Sequence, residues 1–427
     1  MELAARQSQL ALWSTFVKWV VLGGMVGLLS GSASAIFLKS LEAVTKVRLE
    51  HAWLLFLLPV GGALVSGMYM RYGRNSAKGN NLILEQIQQG DEAIPLRMAP
   101  LVLIGTLITH LFGGSAGREG TAVQMGGSLA DALGRRLRIN SLDRKILLMC
   151  GISGGFGSIF GTPLAGTVFG LEVIAIGLIS HKALLPCFVA SFTGDLVASR
   201  LWGVHHIHYQ VDVVPGMDAL VLVKVIAASI VFGLVSLLFS ELTHYLKRTF
   251  TALIRNPMLK SATGGLIVIA LVYIAGTRDY LGLGIPLISG SFTGDVHPFA
   301  FLWKLVFTAF TLGTGFQGGE VTPLFAIGAT LGNSLAGLLH LYGPFLASLG
   351  FIAVFCGAVN TPIACFIMGI ELFGSGGAVY MFIACVISYL FSGHSGIYSS
   401  QLIGISKSAL LPVPEGTTLA AVKELHK

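Results

Sequence analysis

Long runs of apolar residues divide the chain, and the polar residues between them form short segments. The clearest runs are Phe16–Leu38, His51–Met70, Pro100–Phe112, Ala183–Leu201, Ala219–Leu242, Ala262–Ala275 and Val379–Phe391. Some of them reach the roughly 20 residues that a helix needs to cross a bilayer. The pattern therefore predicts an all-α membrane protein that crosses the bilayer many times.

Other apolar segments are too short to cross a bilayer. They begin at Pro163, Pro323 and Pro362. Segments of this kind, interrupted by glycine or proline, are typical of half-helices that end inside a transporter and bring backbone groups to a site near the membrane centre. The 55 glycines also favour close packing of helices.

Charged residues make up only 11% of the chain, whereas a soluble domain carries about 25%. The net charge is +7, and the basic residues cluster in short loops. These are Arg71, Arg74 and Lys78; Arg135, Arg136, Arg138, Arg144 and Lys145; and Lys247, Arg248, Arg255 and Lys260. By the positive-inside rule we expect these loops to be cytoplasmic. A nucleic-acid partner would need a soluble basic face, which this pattern does not provide.

Small residues and cysteines in the apolar runs are interpreted as packing residues. Ser32–Ala35 resembles a signal cleavage site, but the apolar run resumes at Ile36, which favours helix packing. The five cysteines lie in apolar stretches, are odd in number and lack metal-type spacing. We predict neither a disulfide nor a metal or other cofactor.

An internal repeat is visible at a spacing of about 200 residues. The sequence TPLA at 162–165 returns as TPIA at 361–364, and GLE at 170–172 returns as GIE at 369–371. GREGT at 117–121 has a weaker counterpart in GGEVT at 318–322. Duplicated transporter halves place the substrate at the interface of the repeats, so the repeated motifs are candidates for its site.

Glu119 is the first candidate functional residue, because it lies between glycines in an apolar region. The glycines leave backbone N–H groups unshielded, and a helix that begins here would aim them at an anion. An ionised carboxylate can occupy such an anion site itself, and a protonated one can leave it. Glu119 is therefore predicted to couple protons to anions. The alternative is a structural salt bridge with Arg118.

Glu320 and Thr322 lie in a second segment of this kind, before Pro323. Proline suits the first turn of a helix, so this segment also predicts a helix N-terminus that faces an anion. Glu320 is alternatively a carboxylate that stabilises the start of the helix. The hydroxyl of Thr322 is either a donor to the anion or an N-cap.

Other polar residues are weaker candidates. Asn80 and Asn81 precede the predicted helical stretch Leu82–Gln89, and their amides are either anion donors or N-caps. Tyr398 is either an anion-contacting hydroxyl or an interfacial aromatic residue. Glu172 and Glu371 occupy matching repeat positions, and no chemistry is assigned to them.

These motifs together resemble those of the CLC family of chloride channels and anion/proton antiporters. GREG at 117–120 is similar to the gating-glutamate motif, GGEVTP at 318–323 to the second selectivity segment, and GIY at 396–398 to the segment of the anion-contacting tyrosine. The resemblance covers about 15–405. It implies a homodimer with one pathway per subunit, and anion-binding roles for Asn80, Gly117, Arg118, Gly120, Gly318, Gly319, Glu320, Val321, Thr322 and Tyr398.

Departures from the chloride pattern resemble the fluoride/proton antiporter branch. KGNN at 78–81 replaces the motif with the central serine, and Glu320 and Thr322 replace small or apolar residues. Val173 stands where chloride/proton antiporters carry an internal proton glutamate. The branch implies exchange of fluoride for protons. Fluoride is strongly hydrated and needs good hydrogen-bond donors in place of water.

The predicted protein is a multi-pass transporter of the cell membrane with a CLC-like fold of two inverted helical repeats. We expect a single transmembrane domain over 1–427, with halves at about 15–205 and 217–405, a short cytoplasmic tail at 406–427 and no soluble regulatory domain. Chloride transport or a chloride channel is the main alternative. Two others are a cation-coupled transporter and a membrane-embedded enzyme that uses Glu119 and Glu320 as acid and base.

Overall fold

Seventeen α-helices form most of the regular structure in the computed structural model, which describes residues 2–90, 92–207, 209–294 and 296–425. The first eight are α1 (Glu2–Glu50), α2 (Leu58–Met68), α3 (Asn80–Gln88), α4 (Met98–Leu111), α5 (Glu119–Arg136), α6 (Ser141–Phe160), α7 (Pro163–Glu172) and α8 (Leu184–Leu196). The others are α9 (Ala219–Leu253), α10 (Pro257–Ala275), α11 (Ile285–Thr293), α12 (Ala300–Gly313), α13 (Val321–Leu339), α14 (Gly343–Val359), α15 (Pro362–Phe373), α16 (Ala378–Phe391) and α17 (Leu419–Leu425).

Six helical segments of the described chain are long and apolar enough to cross a membrane. They are Gln9–Glu50, Ala52–Gln88, His181–Leu201, Ala219–Leu253, Pro257–Ala275 and Val321–Leu339. The apolar runs predicted from the sequence lie in helical segments, apart from the end residues His51 and Phe112. The helices that begin at Pro163 and Pro362 are short, as predicted, with 10 and 12 residues. The prediction of a short helix at Pro323 is wrong, because α13 begins two residues earlier and has 19 residues.

The two halves of the chain have the same pattern of helix packing. In the first half α6 packs on α5, α7, α8 and α1, and in the second half α14 packs on α13, α15, α16 and α9. Two further contacts join equivalent helices of the two halves, α2 with α10 and α7 with α15. The internal repeat in the sequence thus corresponds to a repeat in structure.

Glycines allow the central helices of each half to touch backbone to backbone. A Cβ on Gly126 of α5 would lie 2.2 Å from the carbonyl oxygen of Gly151 in α6. At the equivalent contact in the second half, a Cβ on Gly328 of α13 would lie 2.1 Å from the carbonyl oxygen of Gly350 in α14. No larger residue fits at these crossings, which explains part of the high glycine content.

Small residues and cysteines behave as predicted. Ser34 and Ala35 are buried inside α1, and Ser34 accepts a 2.8 Å hydrogen bond from the hydroxyl of Ser158. The five cysteines are buried and free. The serine, alanine and cysteine positions of these apolar runs therefore serve helix packing.

The residues after α16 form a small structure that packs on the first half. Three short strands, β1 (Ala175–Ile176), β2 (Leu402–Ile403) and β3 (Thr417–Thr418), form a sheet in which β2 is central, parallel to β1 and antiparallel to β3. α17 follows β3 directly. Part of the predicted tail at 406–427 is therefore ordered structure, and its last two residues, 426–427, lie outside the described part of the chain.

Candidate anion site

The N-termini of two helices from different halves meet at the centre of the protein. α5 begins at Glu119 and α13 begins at Val321. The glycine segments before them are joined by an antiparallel bridge: Gly117 N–H donates to the carbonyl of Gly319 at 2.6 Å, and Gly319 N–H donates back at 2.9 Å. The weak repeat between GREGT and GGEVT therefore marks two segments that pair in space.

The carboxylate of Glu119 lies at the start of α13. It accepts hydrogen bonds from the backbone N–H of Val321 at 2.6 Å and of Thr322 at 3.2 Å, and from the hydroxyl of Thr322 at 3.1 Å. The N–H of Arg118 donates to the same carboxylate at 3.0 Å. The side chain is buried, with 1% of its surface exposed. The carboxylate therefore occupies a set of donors that suits an anion.

Glycine at position 319 makes this arrangement possible. A Cβ there would lie 2.0 Å from Oε1 of Glu119. The alternative of a salt bridge between Glu119 and Arg118 is wrong for this structure, since the guanidinium of Arg118 lies over the ring of Phe160, with 5.6 Å between its Cζ and the ring centroid. Arg118 contributes its backbone N–H, and not its charge, to the bonds that hold Glu119.

A cavity of about 390 Å³, here called the vestibule, leads toward this site from one side of the protein. Four of the predicted anion-binding residues line it: Asn80, Gly318, Glu320 and Tyr398. The other six are not among its lining residues and lie around Glu119: Gly117, Arg118, Gly120, Gly319, Val321 and Thr322. The predicted site residues thus form two groups, one that holds the carboxylate and one that lines the approach to it.

The two asparagines of the vestibule differ in what they bind. Gly79, rather than either asparagine, is the N-cap of α3, and no side chain caps this helix, so the N-cap interpretation is wrong. α3 begins at Asn80, earlier than predicted. The Oδ1 atom of Asn81 accepts a hydrogen bond from Ser400 N–H at 2.9 Å. Oδ1 of Asn80 is buried without a hydrogen-bond partner. The two side chains therefore differ at the amide oxygen, which is bonded to the backbone in Asn81 and unbonded in Asn80.

Tyr398 and Glu320 both face the protein interior. Tyr398 is buried, with 5% of its surface exposed, so the interfacial interpretation is wrong. It also borders, with Asn80 and Val173, a small apolar cavity. Glu320 is the N-cap of α13, but its side chain does not bond to that helix. It stands beside the two glycines that open the backbone, one residue before the donors that hold Glu119.

Several polar residues of the vestibule were missed as site residues. Lys247 and Lys260 were interpreted only as markers of topology, yet both line the vestibule. Gln124 lines it as well, with its Oε1 buried and without a hydrogen-bond partner. Its position on α5, one turn after Thr121, was the available signal. The approach to the site is therefore more basic and more polar than the motifs indicated.

Comparison with known proteins gives concordant matches along the chain. The family model described as Voltage gated chloride channel matches residues 61–393. A chloride/fluoride channel protein of Pseudomonas syringae pv. tomato is 50% identical over 427 residues, which cover 99% of this chain and 94% of that protein. An H(+)/Cl(−) exchange transporter, ClcA, of Cronobacter sakazakii is 28% identical, with 90% and 89% covered.

Two solved structures superimpose on this chain and agree with the family match. The crystal structure of a CLC-type fluoride/proton antiporter superimposes with a TM-score of 0.88 at 37% identity and covers 90% of this chain and 98% of its own. A slow cyanobacterial Cl−/H+ antiporter superimposes with a TM-score of 0.78 at 19% identity, covering 96% and 97%, and supports the fold alone. The fold, the paired glycine segments and the family match lead to one assignment: this chain belongs to the voltage-gated chloride channel (CLC) family of membrane proteins.

Proposed function

We propose that this protein exchanges fluoride for protons across the cell membrane and thereby exports fluoride. The observation that carries the proposal is the carboxylate of Glu119 held by the first N–H groups of α13 and by the hydroxyl of Thr322. Relatives named as a chloride/fluoride channel protein and a CLC-type fluoride/proton antiporter support the choice of ions. The family consists of channels and transporters, so the enzyme alternative is set aside.

Proton coupling follows from competition for one set of donors. While Glu119 is ionised, it occupies the N-terminus of α13 and excludes an anion. When Glu119 takes up a proton, its acceptor strength falls and the helix N-terminus favours a fluoride ion in its place. The protonated side chain then carries its proton away from the site. Each time a fluoride ion replaces the carboxylate at the start of α13, one proton therefore leaves the site with Glu119 as one anion enters it.

Donor chemistry favours fluoride over chloride. A small, strongly hydrated anion leaves water only where several strong donors replace its hydration. The hydroxyl of Thr322, two backbone N–H groups and the amide of Asn80 are such donors. The chloride-type central serine is absent, and α3 begins with an asparagine instead.

The vestibule is proposed to open to the cytoplasm. Lys247 and Lys260 line it, and both belong to a basic cluster, at the end of α9 and the start of α10, that the positive-inside rule places on that side. Their positive charge raises the local concentration of anions at the entrance, because clefts of one charge sign focus the field. Glu320 stands at the inner end of this path and faces the ions that approach Glu119.

The quaternary structure is proposed to be a homodimer of single transmembrane domains, with halves at 15–205 and 217–405. The mutually packed helices α7, α8, α15 and α16 carry exposed apolar side chains that include Leu164, Phe188 and Phe382. Glu371 accepts a hydrogen bond from the backbone N–H of Leu164, and a second copy would shield this polar contact from lipid. Native mass measurement in mild detergent tests this, and a monomer at every concentration would contradict it.

Proteoliposomes loaded with fluoride or with chloride give the decisive test. Efflux of each halide is followed with ion-selective electrodes while proton uptake is recorded in the same vesicles. The proposal requires fluoride efflux well above chloride efflux, with protons moving in the opposite direction. Equal rates for the two halides would favour the chloride alternative, and halide flux without proton movement would favour a channel.

A further inference from the structure

Basic side chains also gather at the end of the protein opposite the vestibule. Lys260 of the vestibule lies in the first turn of α10, and Arg278 follows the other end of this 19-residue helix, which is roughly 28 Å long. Arg278 and Arg48 line a second cavity of about 230 Å³, here called the Arg48 cavity. Its lining includes Gly113 and Gly284. The cavity is therefore separate from the vestibule.

Arg48 has a guanidinium group without a protein partner. It forms neither a hydrogen bond nor an ion pair with any part of the chain that the structure describes, and its Nε is buried. The residue lies in the last turn of α1, where the helix dipole favours a cation. That explains the charge but leaves five N–H donors unused. The charged neighbour of Arg48 is another cation, Arg278, whose guanidinium donates to the carbonyl of Ala52 at 2.9 Å.

Lys304 is buried behind the cavity. Its Nζ contacts the hydroxyl of Ser115 at 2.9 Å and donates to the carbonyls of Tyr280 at 3.1 Å and Gly282 at 2.7 Å. These contacts use the donors of the Lys304 side chain. All three partners are neutral, so none of them is a counter-ion.

His110 and Arg48 meet at the same loop. Both ring nitrogens of His110 are buried without a hydrogen-bond partner. A Cβ on Gly282 would lie 2.9 Å from Nη2 of Arg48 and 3.8 Å from Nδ1 of His110, while one on Gly284 would lie 3.3 Å from Nζ of Lys304. The loop Tyr280–Gly284 thus lies between Lys304 on one side and Arg48 and His110 on the other, and of these three side chains Arg48 lines the cavity.

No carboxylate of the described chain is paired with these groups. The acid of the cavity lining is Asp279, whose Oδ2 accepts a hydrogen bond from the hydroxyl of Thr277 at 2.6 Å. Glu119 is occupied by donors of α13. Like charges in a medium of low dielectric repel strongly. An anion in the Arg48 cavity would offset this repulsion and use the free donors of Arg48.

We propose that the Arg48 cavity binds a halide ion at a second anion site, distinct from the site of Glu119. The site does not depend on whether fluoride or chloride is the transported ion. Lys304 links it to the central segment, since its ammonium also contacts Ser115, two residues before the Gly117 bridge. Leu49 and Trp53, which are 71% and 58% exposed, border lipid near the entrance, so a lipid phosphate is the competing ligand.

Anomalous scattering from bromide locates the ion directly. Crystals grown in sodium bromide are expected to show a bromide peak beside Arg48. The peak should disappear in Arg48→Gln and persist in Thr322→Val, which alters the central site. Absence of the peak in the wild-type protein, or phospholipid density in its place, would overturn the proposal, and so would loss of the peak in Thr322→Val.

A solution measurement covers the case in which crystals of a variant are not obtained. The melting temperature is compared in sodium bromide and in sodium gluconate at equal ionic strength, in lipid-free detergent. Bromide should raise the melting temperature of the wild-type protein more than that of Arg48→Gln or Arg278→Gln. Arg71→Gln, which changes an exposed arginine outside the cavity, should respond as the wild type does. Equal bromide shifts in all four proteins would contradict the site.

Discussion

Glu172 and Glu371 exchange equivalent contacts between the two halves of the protein. Glu172, at the end of α7, accepts hydrogen bonds from the N–H groups of Ile363 at 3.1 Å and Ala364 at 2.9 Å, at the start of α15. Glu371, near the end of α15, accepts from Leu164 at 2.9 Å and Ala165 at 2.8 Å, at the start of α7. Two antiparallel half-helices thereby cap each other.

Loss of either cap is predicted to destabilise the fold. Glu172→Ala removes two hydrogen bonds, each worth roughly 0.5–1.5 kcal/mol net, and should lower the free energy of unfolding by about 1–3 kcal/mol. Glu371→Ala should cost less, because Glu371 is less buried. Titration with SDS in mild detergent measures both. Glu42→Ala, an exposed change on α1, is the control, and equal stability of Glu172→Ala and that control would contradict the capping role.

Glu119→Gln is predicted to abolish proton-driven anion transport without unfolding the protein. Glutamine preserves the shape of the side chain but cannot ionise, so exchange between carboxylate and anion stops. Proton uptake driven by a fluoride gradient in proteoliposomes is the measurement. Glu172→Gln, which changes a buried carboxylate away from the central site, is the matched control and should retain coupling. Wild-type proton uptake by Glu119→Gln would rule out Glu119 as the coupling group.

Gly319→Ala is predicted to displace the Glu119 carboxylate from α13. The added methyl group would lie 2.0 Å from Oε1 and 2.7 Å from the backbone nitrogen of Gly120, so the carboxylate must leave its position and the paired glycine segments must also shift. Halide efflux should then persist with proton coupling reduced at least tenfold. Gly337→Ala in the same helix meets no atom within 4 Å and should behave as the wild type does. Normal coupling in Gly319→Ala would show that the carboxylate does not need this position.

Thr322→Val is predicted to slow fluoride more than chloride. The valine keeps the shape but lacks the hydroxyl donor. A hydrogen bond to a charged group is worth at least about 1.4 kcal/mol. Because 1.4 kcal/mol corresponds to a factor of ten, its loss should shift the preference for fluoride about tenfold. Efflux of both halides in proteoliposomes measures it. Thr330→Val removes a hydroxyl that bonds only within α13 and serves as the control. If the efflux of both halides fell by the same factor, Thr322 would not contribute to selectivity.

Asn80→Leu, which changes a side chain of the vestibule, is also predicted to slow fluoride more than chloride. The side chain of Asn80 lines the vestibule with its Oδ1 unbonded, whereas the Oδ1 of Asn81 accepts a hydrogen bond from the backbone of Ser400. Fluoride efflux should fall several-fold more than chloride efflux. In Asn81→Leu, by contrast, loss of the bond to Ser400 should lower the melting temperature and change the halide preference little. If Asn81→Leu changed the halide preference and Asn80→Leu lowered only the melting temperature, the roles of the two asparagines would be the opposite.

The amino-acid sequence determined the membrane helices, the internal repeat and the two helix starts that face the site. Apolar runs, glycines and prolines act locally, because they decide which backbone groups can bond within their own segment. For the same reason Glu119 was recognisable as a carboxylate in an apolar, glycine-rich segment. The family resemblance extended this to Tyr398 and to the segment at 318–323, which line or form the observed site.

Only the tertiary structure decided which groups meet. A helix start leaves N–H groups unsatisfied, but the local sequence does not specify their partner; here it is a carboxylate 202 positions away, as for Val321 and Glu119. The same holds for the crossed caps of Glu172 and Glu371, for Lys247 in the vestibule, and for Arg48 beside Arg278. These contacts depend on how the inverted halves pack, since long-range packing brings together residues whose local patterns carry no information about each other.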